Sequence, residues 1–226
     1  MTATTLLFIA ELVGIAAFAI SGVLVAIEHR LDVFGALVLG AVTSVGGGMT
    51  RDIIIGHTPP VMFTNPVYAV LAVFVSLIVF TLAYFLGDRV NLHSKRWMQI
   101  VNFFDALGLG VFVTTGVDAI LAGDMADNAF LAIFVGTLTG VGGGVLRDIF
   151  VASIPAIFRK HIYAIAAITG SAIYYFMTTA GLPVTASLLT TTAVVVTIRL
   201  LAAHYHWNMP HIREIPHEDP PAPPKN

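Results

Sequence analysis

Residues 45–52 read VGGGMTRD, and residues 141–148 read VGGGVLRD. Each octapeptide lies within a strongly apolar stretch, and the second follows the first at an offset of 96 positions. The same offset relates the pairs Phe34 and Phe130, Gly40 and Gly136, Thr43 and Thr139, Ile53 and Ile149, and Pro59 and Pro155. Further upstream the offset becomes 94, which aligns Glu11 with Asp105. The chain is therefore a tandem duplication, and internal repeats of this kind are typical of membrane transport proteins.

The composition is that of an integral membrane protein. Apolar residues make up 57% of the chain and charged residues 11%, and the mean hydropathy is +0.89. Stretches poor in charge and long enough to cross about 30 Å of hydrocarbon occur at 6–27, 33–55, 66–87, 103–121, 128–150, 161–180 and 184–203. The short alternating segments of a membrane β-barrel are not seen. The sequence thus predicts an all-α membrane protein with seven spans.

The duplication predicts how these spans are organised. Residues 1–90 form a first three-helix repeat, 91–180 a second, 181–208 the seventh span, and 209–226 a disordered tail rich in proline and charge. Because each repeat has an odd number of spans, the second copy enters the membrane from the opposite face. We therefore expect inverted repeats whose glycine triplets meet near the midplane.

The basic residues predict the orientation in the inner (plasma) membrane. Nine of the 11 basic residues fall on one side, at or near the ends of the spans: Arg30, Arg89, Lys95, Arg96, Arg159, Lys160, Arg199, Arg213 and Lys225. By the positive-inside rule this side is cytoplasmic. The amino terminus is then outside and the carboxyl terminus inside.

The two glycine triplets are candidates for an ion pathway. Three successive glycines weaken a helix, so kinks or short unwound turns are expected there, and exposed backbone at this depth must line water or lie within protein. The alternative is close helix crossing through small residues. The duplication and the charges that follow favour a pathway, whose candidate residues are Thr43, Gly46, Gly47, Gly48, Thr139, Gly142, Gly143 and Gly144.

An arginine and an aspartate follow each triplet, about 6 Å further along a helix. Arg51, Asp52, Arg147 and Asp148 therefore lie inside the membrane, where a charge is a functional candidate. Adjacent helical residues point about 100° apart, so we expect each arginine to pair elsewhere, with carboxylates of the opposite repeat forming a charge-balanced gate. The alternative is a static salt bridge that locks the two halves together.

Glu11 and Asp105 are secondary candidates at equivalent positions. Their carboxylates could pair with the arginines or attract cations. They could equally cap helix starts, since Asp105 lies near the beginning of its predicted span. Asp118 is a weaker candidate, because Leu24 occupies the matching position.

No enzymatic site or cofactor is expected. The chain has no cysteine, no Ser-His-Asp or HExxH arrangement, and no phosphate-binding loop. His204, His206 and His211 could suggest a metal site, but a helix end at the membrane interface beside Tyr205 is the favoured interpretation. Nucleic acid is not expected as a partner.

The seven spans, the inverted repeats and the motif Gly-Gly-Gly-x-x-Arg-Asp resemble the prokaryotic branch of the trimeric intracellular cation (TRIC) channel family, over about residues 6–205. The resemblance implies a homotrimer in which each subunit has its own hourglass pore, lined by the second and fifth spans and permeable to potassium and sodium. It also suggests membrane lipid as a bound partner. Animal members carry Lys-Glu-Val where this chain has Arg51-Asp52-Ile53.

Two other functions are compatible with the sequence. Related bacterial sequences have been labelled transporters of glycine or small amino acids, and a secondary transporter also fits inverted repeats. A channel needs a continuous wet path with weak sites, and its arginines must be paired if cations are to pass. A membrane scaffold without transport would have little reason to hold intramembrane charges.

Overall fold

The computed structural model describes residues 2–87, 94–159, 162–205 and 207. The predicted disordered tail, 209–226, lies outside the described residues. Within the described part the chain forms helices only: α1 Ala3–Glu28, α2 Val33–Ile54, α3 Val61–Thr64, α4 Val67–Leu86, α5 Lys95–Leu121, α6 Ala129–Phe150, α7 Ala156–Arg159, α8 Ile162–Thr179 and α9 Val184–His204. Seven of these helices are long and apolar enough to span a membrane. The predicted all-α architecture is confirmed.

The helices that carry the repeated motif are built alike. α2 and α6 each have 22 residues, which at 1.5 Å per residue is about the hydrocarbon thickness. Asp32 caps α2 by accepting a 2.8 Å hydrogen bond from the Gly35 amide, and Asn128 caps α6 through the Leu131 amide at 3.0 Å. Both ends of α6 lie 96 residues after those of α2. Equivalent sequence therefore gives equivalent helices.

The first half of the molecule comprises α1–α4, and the second half comprises α5–α8. α1, α2, α5 and α6 form the centre, α4 packs on α1 and α2, and α8 packs on α5 and α6. Phe18 of α1 stacks on Phe112 of α5, with ring centroids 5.3 Å apart, so equivalent residues meet between the halves. Each half contributes three spans, which confirms two inverted three-helix repeats followed by a seventh span.

The seventh span breaks this symmetry. α9 packs against α5 and α8 of the second half and makes only minor contact with α1. α4 in the first half instead exposes large apolar side chains, including Phe74 at 60% and Phe85 at 80%. In a membrane such a surface meets lipid. The second half is therefore covered by an extra helix on a side where the first half has none.

Two features of the helices differ from the sequence prediction. α5 begins at Lys95, where Ser94 caps it by accepting from the Trp97 amide at 3.2 Å, rather than near residue 103. The prediction excluded this first part because it is charged. Asp105 consequently lies well inside α5, and the idea that it caps a helix start is wrong. The short helices α3 and α7, each preceded by a proline, were not predicted.

The glycine triplets do not interrupt their helices. Both α2 and α6 remain helical through residues 46–48 and 142–144. The predicted unwound turns are therefore absent, because the neighbouring helix packs closely enough to cover the glycine backbone.

Candidate functional site: two Arg-Asp clusters beside a glycine crossing

The middle glycines form the point where α2 crosses α6. Gly47 lies directly against the carbonyl oxygen of Thr139, and Gly143 lies in the same way against that of Thr43. A Cβ atom at either glycine would overlap backbone, and one at Gly142 would lie 3.1 Å from the Cα of Gly47. Glycine is needed here for close approach. Between the two backbones there is no room for an ion.

The third glycine of each triplet has different surroundings in the two halves. A Cβ atom on Gly48 would meet nothing nearer than Nη2 of Arg51, at 3.9 Å. A Cβ atom on Gly144 would lie 2.8 Å from the hydroxyl of Tyr163. The space beside the triplet is therefore open in the first half and filled by a tyrosine in the second.

The predicted pathway threonines are buried and internally satisfied. Thr43 and Thr139 have no exposed surface. Each hydroxyl donates to the carbonyl oxygen four residues earlier, Leu39 or Val135, at 2.6 Å. Each hydroxyl oxygen keeps its acceptor lone pairs, but burial shields both from solvent in this structure.

The first cluster consists of Glu11, Arg51, Asp52 and Tyr68. Nε of Arg51 donates to Oδ1 of Asp52 at 2.8 Å, and its Nη1 lies 3.7 Å from Oε1 of Glu11. The hydroxyl of Tyr68 donates to the other oxygen of Glu11 at 2.6 Å. Glu11 keeps 22% of its side chain exposed. One guanidinium thus faces two carboxylates, which leaves a formal charge of −1.

The second cluster consists of Asp105, Arg147, Asp148, Tyr163 and Arg199. Nε of Arg147 donates to Oδ1 of Asp148 at 2.9 Å, and Nη1 donates to Oδ1 of Asp105 at 2.7 Å. The same Nη1 donates to the hydroxyl of Ser21, at 2.7 Å, which comes from α1 in the other half. The Asp105 side chain is only 4% exposed.

Arg199 of α9 completes the second cluster. Its Nη2 lies 3.4 Å from Oδ2 of Asp105, and its Cζ lies 4.3 Å from the centre of the Tyr163 ring. Counting these described residues alone, two guanidinium groups face two carboxylates, and their formal charge is zero. The arginine of the extra helix accounts for the difference in charge between the clusters.

The aspartate of each motif also holds the short helix that follows. Oδ2 of Asp52 accepts from the Val61 amide at 2.9 Å, at the start of α3. Oδ2 of Asp148 accepts from the Ala156 amide at 2.8 Å, at the start of α7. Each carboxylate thus joins its arginine to the N-terminus of a short helix, which is a favourable place for negative charge.

The sequence correctly indicated Glu11 and Asp105 as partners of the arginines, but two related predictions were wrong. Arg51 and Arg147 do pair with the aspartates next to them, at 2.8 and 2.9 Å, because the long arginine side chain can span the angle between neighbouring helical positions. The carboxylates that hold each arginine come from its own repeat, not from the opposite one. Among the described residues, only the Ser21 hydroxyl bonds to an arginine across the repeats.

Two cavities adjoin the first cluster. One of about 40 Å³ is lined by all four cluster residues together with Gly48 and Met49, among others. The other, of about 720 Å³, is lined by Arg51 and Asp52 and by residues at the ends of α2 and α5, including His57 and Asp124. These helix ends lie on the side of the membrane that carries the amino terminus. The first cluster is therefore approached from that side.

Sequence reasoning missed several members of this site. Arg199 was assigned to a cytoplasmic flank, although it lies inside α9 and is 4% exposed. A single charge within an apolar span was the available signal. Tyr68, Tyr163 and Ser21 gave no signal, because tyrosine and serine are common in membrane helices.

The remaining candidates lie apart from the clusters. Asp118 accepts a hydrogen bond from the Tyr174 hydroxyl at 3.0 Å. His204 ends α9 with its ring edge-to-face on Tyr205, centroids 4.9 Å apart. His206 and His211 lie outside the described residues.

The fold and these clusters define an inverted-repeat membrane protein of the class that carries solutes or ions. A family model described as glycine transporter matches residues 8–84 and again 102–179, once in each half. The UPF0126 inner membrane protein YadS of Escherichia coli K12 is 38% identical over 203 residues, covering 88% of this chain and 93% of that protein. A UPF0126 membrane protein of Vibrio cholerae is 36% identical over 207 residues, covering 92% and 83%.

Solved structures agree with these relatives. A TRIC orthologue from Rhodobacter sphaeroides is 30% identical with a TM-score of 0.78, covering 90% of this chain and 100% of that chain. A prokaryotic TRIC channel in 0.5 M KCl is 32% identical with a TM-score of 0.80, covering 91% and 100%. A structure that addresses conductance through TRIC cation channels is 31% identical with a TM-score of 0.77, covering 92% and 97%. The chain belongs to the prokaryotic branch of the TRIC channel family.

Proposed function

We propose that this protein is a monovalent cation channel, permeable to potassium and sodium, with a pathway in each subunit alongside α2 and α6. One observation carries the proposal: a cluster of formal charge −1 lies among the membrane-spanning helices beside a cavity of about 40 Å³. A cavity of that size holds a few waters, since one water needs roughly 10–15 Å³. A hydrated, negative position within the bilayer favours cations over anions. The family relationship to TRIC cation channels supports the same function.

The proposed pathway starts from the cavity of about 720 Å³ and passes the first cluster and Gly48. It continues beside the glycine crossing, along the candidate residues of both triplets and the threonines Thr43 and Thr139. Because the crossing is tight, we assign the structure to a closed state. Conduction then requires α2 and α6 to separate where their glycines now touch. Leucine at Gly47 or Gly143 should leave the protein inserted but abolish flux, whereas surviving flux in both variants would place the pathway elsewhere.

Single-channel recording of the purified protein in planar bilayers tests the function. In a potassium gradient we expect discrete conductance steps whose reversal potential follows the potassium gradient, with comparable currents in sodium. Replacing Asp52 by asparagine should lower cation selectivity, because it removes a negative charge from the first cluster. Absence of steps from protein that elutes as one folded species would refute the channel.

A transporter of glycine or another small amino acid is the second candidate. It is favoured by the description of the matching family model as glycine transporter. The two functions separate in one experiment, in which uptake of labelled glycine and of a potassium analogue is measured in the same liposomes. Saturable glycine uptake without cation conductance would replace the channel by the transporter.

We further propose a homotrimer with its amino terminus outside and its carboxyl terminus in the cytoplasm. The trimer is supported by the relationship to a trimeric TRIC orthologue, and the inner membrane by the name of YadS. Cross-linking in detergent should give three subunits, and a dimer would contradict the assembly. A carboxyl-terminal reporter active only in the cytoplasm should work, and activity of a periplasmic reporter would reverse the orientation.

A further inference from the structure

Arg199 is held less completely than the arginine beside it. Arg147 reaches Asp105 at 2.7 Å, whereas Arg199 reaches the other oxygen of the same carboxylate at 3.4 Å. Within the described part of the chain, Nε of Arg199 has no hydrogen-bond partner. Its second contact is the face of the Tyr163 ring. A charge-assisted hydrogen bond prefers about 2.7–2.9 Å, so the 3.4 Å contact is a weak one for a buried guanidinium.

Tyr163 is also incompletely bonded. Among the described residues its hydroxyl has no hydrogen-bond partner, although it is fully buried. Its counterpart in the first half, Tyr68, donates to Glu11 at 2.6 Å. A buried hydroxyl without a partner destabilises the arrangement that contains it. The first half therefore shows a better-bonded arrangement that the second half does not adopt while Arg199 is present.

We propose that Arg199 is a latch that holds the second half closed. When its guanidinium leaves Asp105, the hydroxyl of Tyr163 moves to donate to Asp105, as Tyr68 does to Glu11. Tyr163 then vacates the space beside Gly144, which becomes open as the space beside Gly48 is now. The second cluster, having lost one positive charge, acquires the formal charge of −1 that the first cluster already has.

The position of Arg199 in α9 makes its release physically reasonable. It lies five residues before His204, the last residue of the helix, which is about 7.5 Å along the axis. An arginine side chain at that depth reaches the membrane interface by extending toward it, with its charge in water and its methylene groups in the apolar region. The released state therefore leaves no bare charge in the hydrocarbon.

The latch can be tested without measuring transport, because the chain contains no cysteine. Met49 lines the cavity of the first half, and Val145 is its equivalent in the second. Single cysteines at Met49 and at Val145 are treated in liposomes with a charged, water-soluble thiol reagent supplied on both sides. In the otherwise unchanged protein we expect Met49→Cys to react and Val145→Cys to react slowly.

Arg199→Gln should raise the labelling rate of Val145→Cys by about tenfold or more, in the range of ordinary conformational coupling, and leave that of Met49→Cys unchanged. Arg96→Gln is the matched control, because it removes an exposed basic side chain at the same end of the molecule. Adding Tyr163→Phe to Arg199→Gln should lower the labelling rate of Val145→Cys most of the way back to its original value, since phenylalanine cannot donate to Asp105. An unchanged rate at Val145→Cys, in protein whose Met49→Cys still reacts, would overturn the proposal.

Arg199→Lys covers the case in which Arg199→Gln does not fold. Lysine keeps the charge beside Asp105 but loses the flat contact with the Tyr163 ring, so the rate at Val145→Cys should rise by a smaller factor. No rise in folded Arg199→Lys would also overturn the latch. The latch depends on the proposed function in one respect only: its opening is expected to let cations pass. If labelling of Val145→Cys rises but no cation current is found, the latch is supported and the channel function is refuted. If the current is normal but labelling does not change, the channel function is supported and the latch is refuted.

Discussion

The two halves of the chain place the same Arg-Asp motif in different surroundings. Arg51 faces Glu11, whose carboxylate is partly exposed beside a cavity, whereas Arg147 faces Asp105, which is buried and shared with Arg199. The bonds made by the motif itself are nearly the same in both halves, including the carboxylate that holds the following short helix. The repeated sequence thus determines local geometry, and the charge balance is determined by a residue outside the repeat.

The largest expected difference between the halves concerns the two arginines. Arg147→Ala should lower the free energy of unfolding by about 3–5 kcal/mol, because it leaves buried carboxylates without their main partner. Arg51→Ala should have a smaller effect, since water in the adjacent cavity can solvate Glu11. Thermal unfolding in detergent measures both, with exposed Arg96→Ala as the control. Equal losses of unfolding free energy would show that the two clusters are equally shielded from water.

Coupling within the second cluster gives an independent check of that prediction. Asp148→Asn should also destabilise, because it weakens the hold on Arg147. The double variant should be milder than the sum of the single changes. Additive effects would mean that Arg147 and Asp148 act separately despite their 2.9 Å contact.

Alanine at the middle glycine of each triplet should lower stability equally in both halves. Gly47→Ala and Gly143→Ala each drive a Cβ atom into the backbone carbonyl of the opposite helix, so each should destabilise by about 1–3 kcal/mol. Because the two contacts are equivalent, the losses should agree closely in chemical or thermal unfolding. A loss at one position only would show that the crossing is less symmetric than its contacts.

Alanine at the third glycine of each triplet should instead affect the stability of the two halves differently. Gly48→Ala meets nothing closer than 3.9 Å and should stabilise α2 by up to about 1 kcal/mol through helix propensity. Gly144→Ala meets the Tyr163 hydroxyl at 2.8 Å and should be neutral or destabilising. The unfolding midpoints of the two variants, measured side by side, check this. Destabilisation by both would contradict the open space assigned to Gly48.

The smallest effect concerns the two tyrosine hydroxyls. Tyr68→Phe removes a 2.6 Å hydrogen bond to Glu11 and should destabilise by about 1 kcal/mol. Tyr163→Phe removes a buried hydroxyl that has no partner in the described part of the chain and should leave stability unchanged or raise it, because the cost of burying that hydroxyl is relieved. The difference in unfolding temperature between the two variants is the measurement. A larger loss for Tyr163→Phe would reveal a bond that the structure does not contain.

The sequence predicted the architecture well because duplication and hydropathy both act over long stretches. The seven spans, their inversion and the choice of Glu11 and Asp105 as candidate partners of the arginines all follow from position in the repeat. The expectation that each partner comes from the opposite repeat was wrong. The beginning of α5 was missed because its first turns are charged, and a helix can extend beyond the hydrocarbon.

The rest of the site could not be predicted from the sequence alone. Whether glycines unwind a helix or allow close packing depends on the neighbouring helix, which no local pattern reveals. The pairing of each arginine with the next residue depends on side-chain rotamers, and the role of Arg199 depends on which helices α9 touches. These are tertiary properties, and they decide the difference between the clusters.

The position of Arg199 in the seventh span also bears on the order in which the two clusters are assembled. All four residues of the first cluster occur within the first 68 residues, so this half can neutralise its arginine as soon as three spans have left the ribosome. Asp105 and Arg147 enter the membrane later and receive their last partner only with the final span. The second cluster therefore keeps a formal charge of −1 until the seventh span joins it. The order of the spans along the chain thus sets the order in which the two clusters are completed.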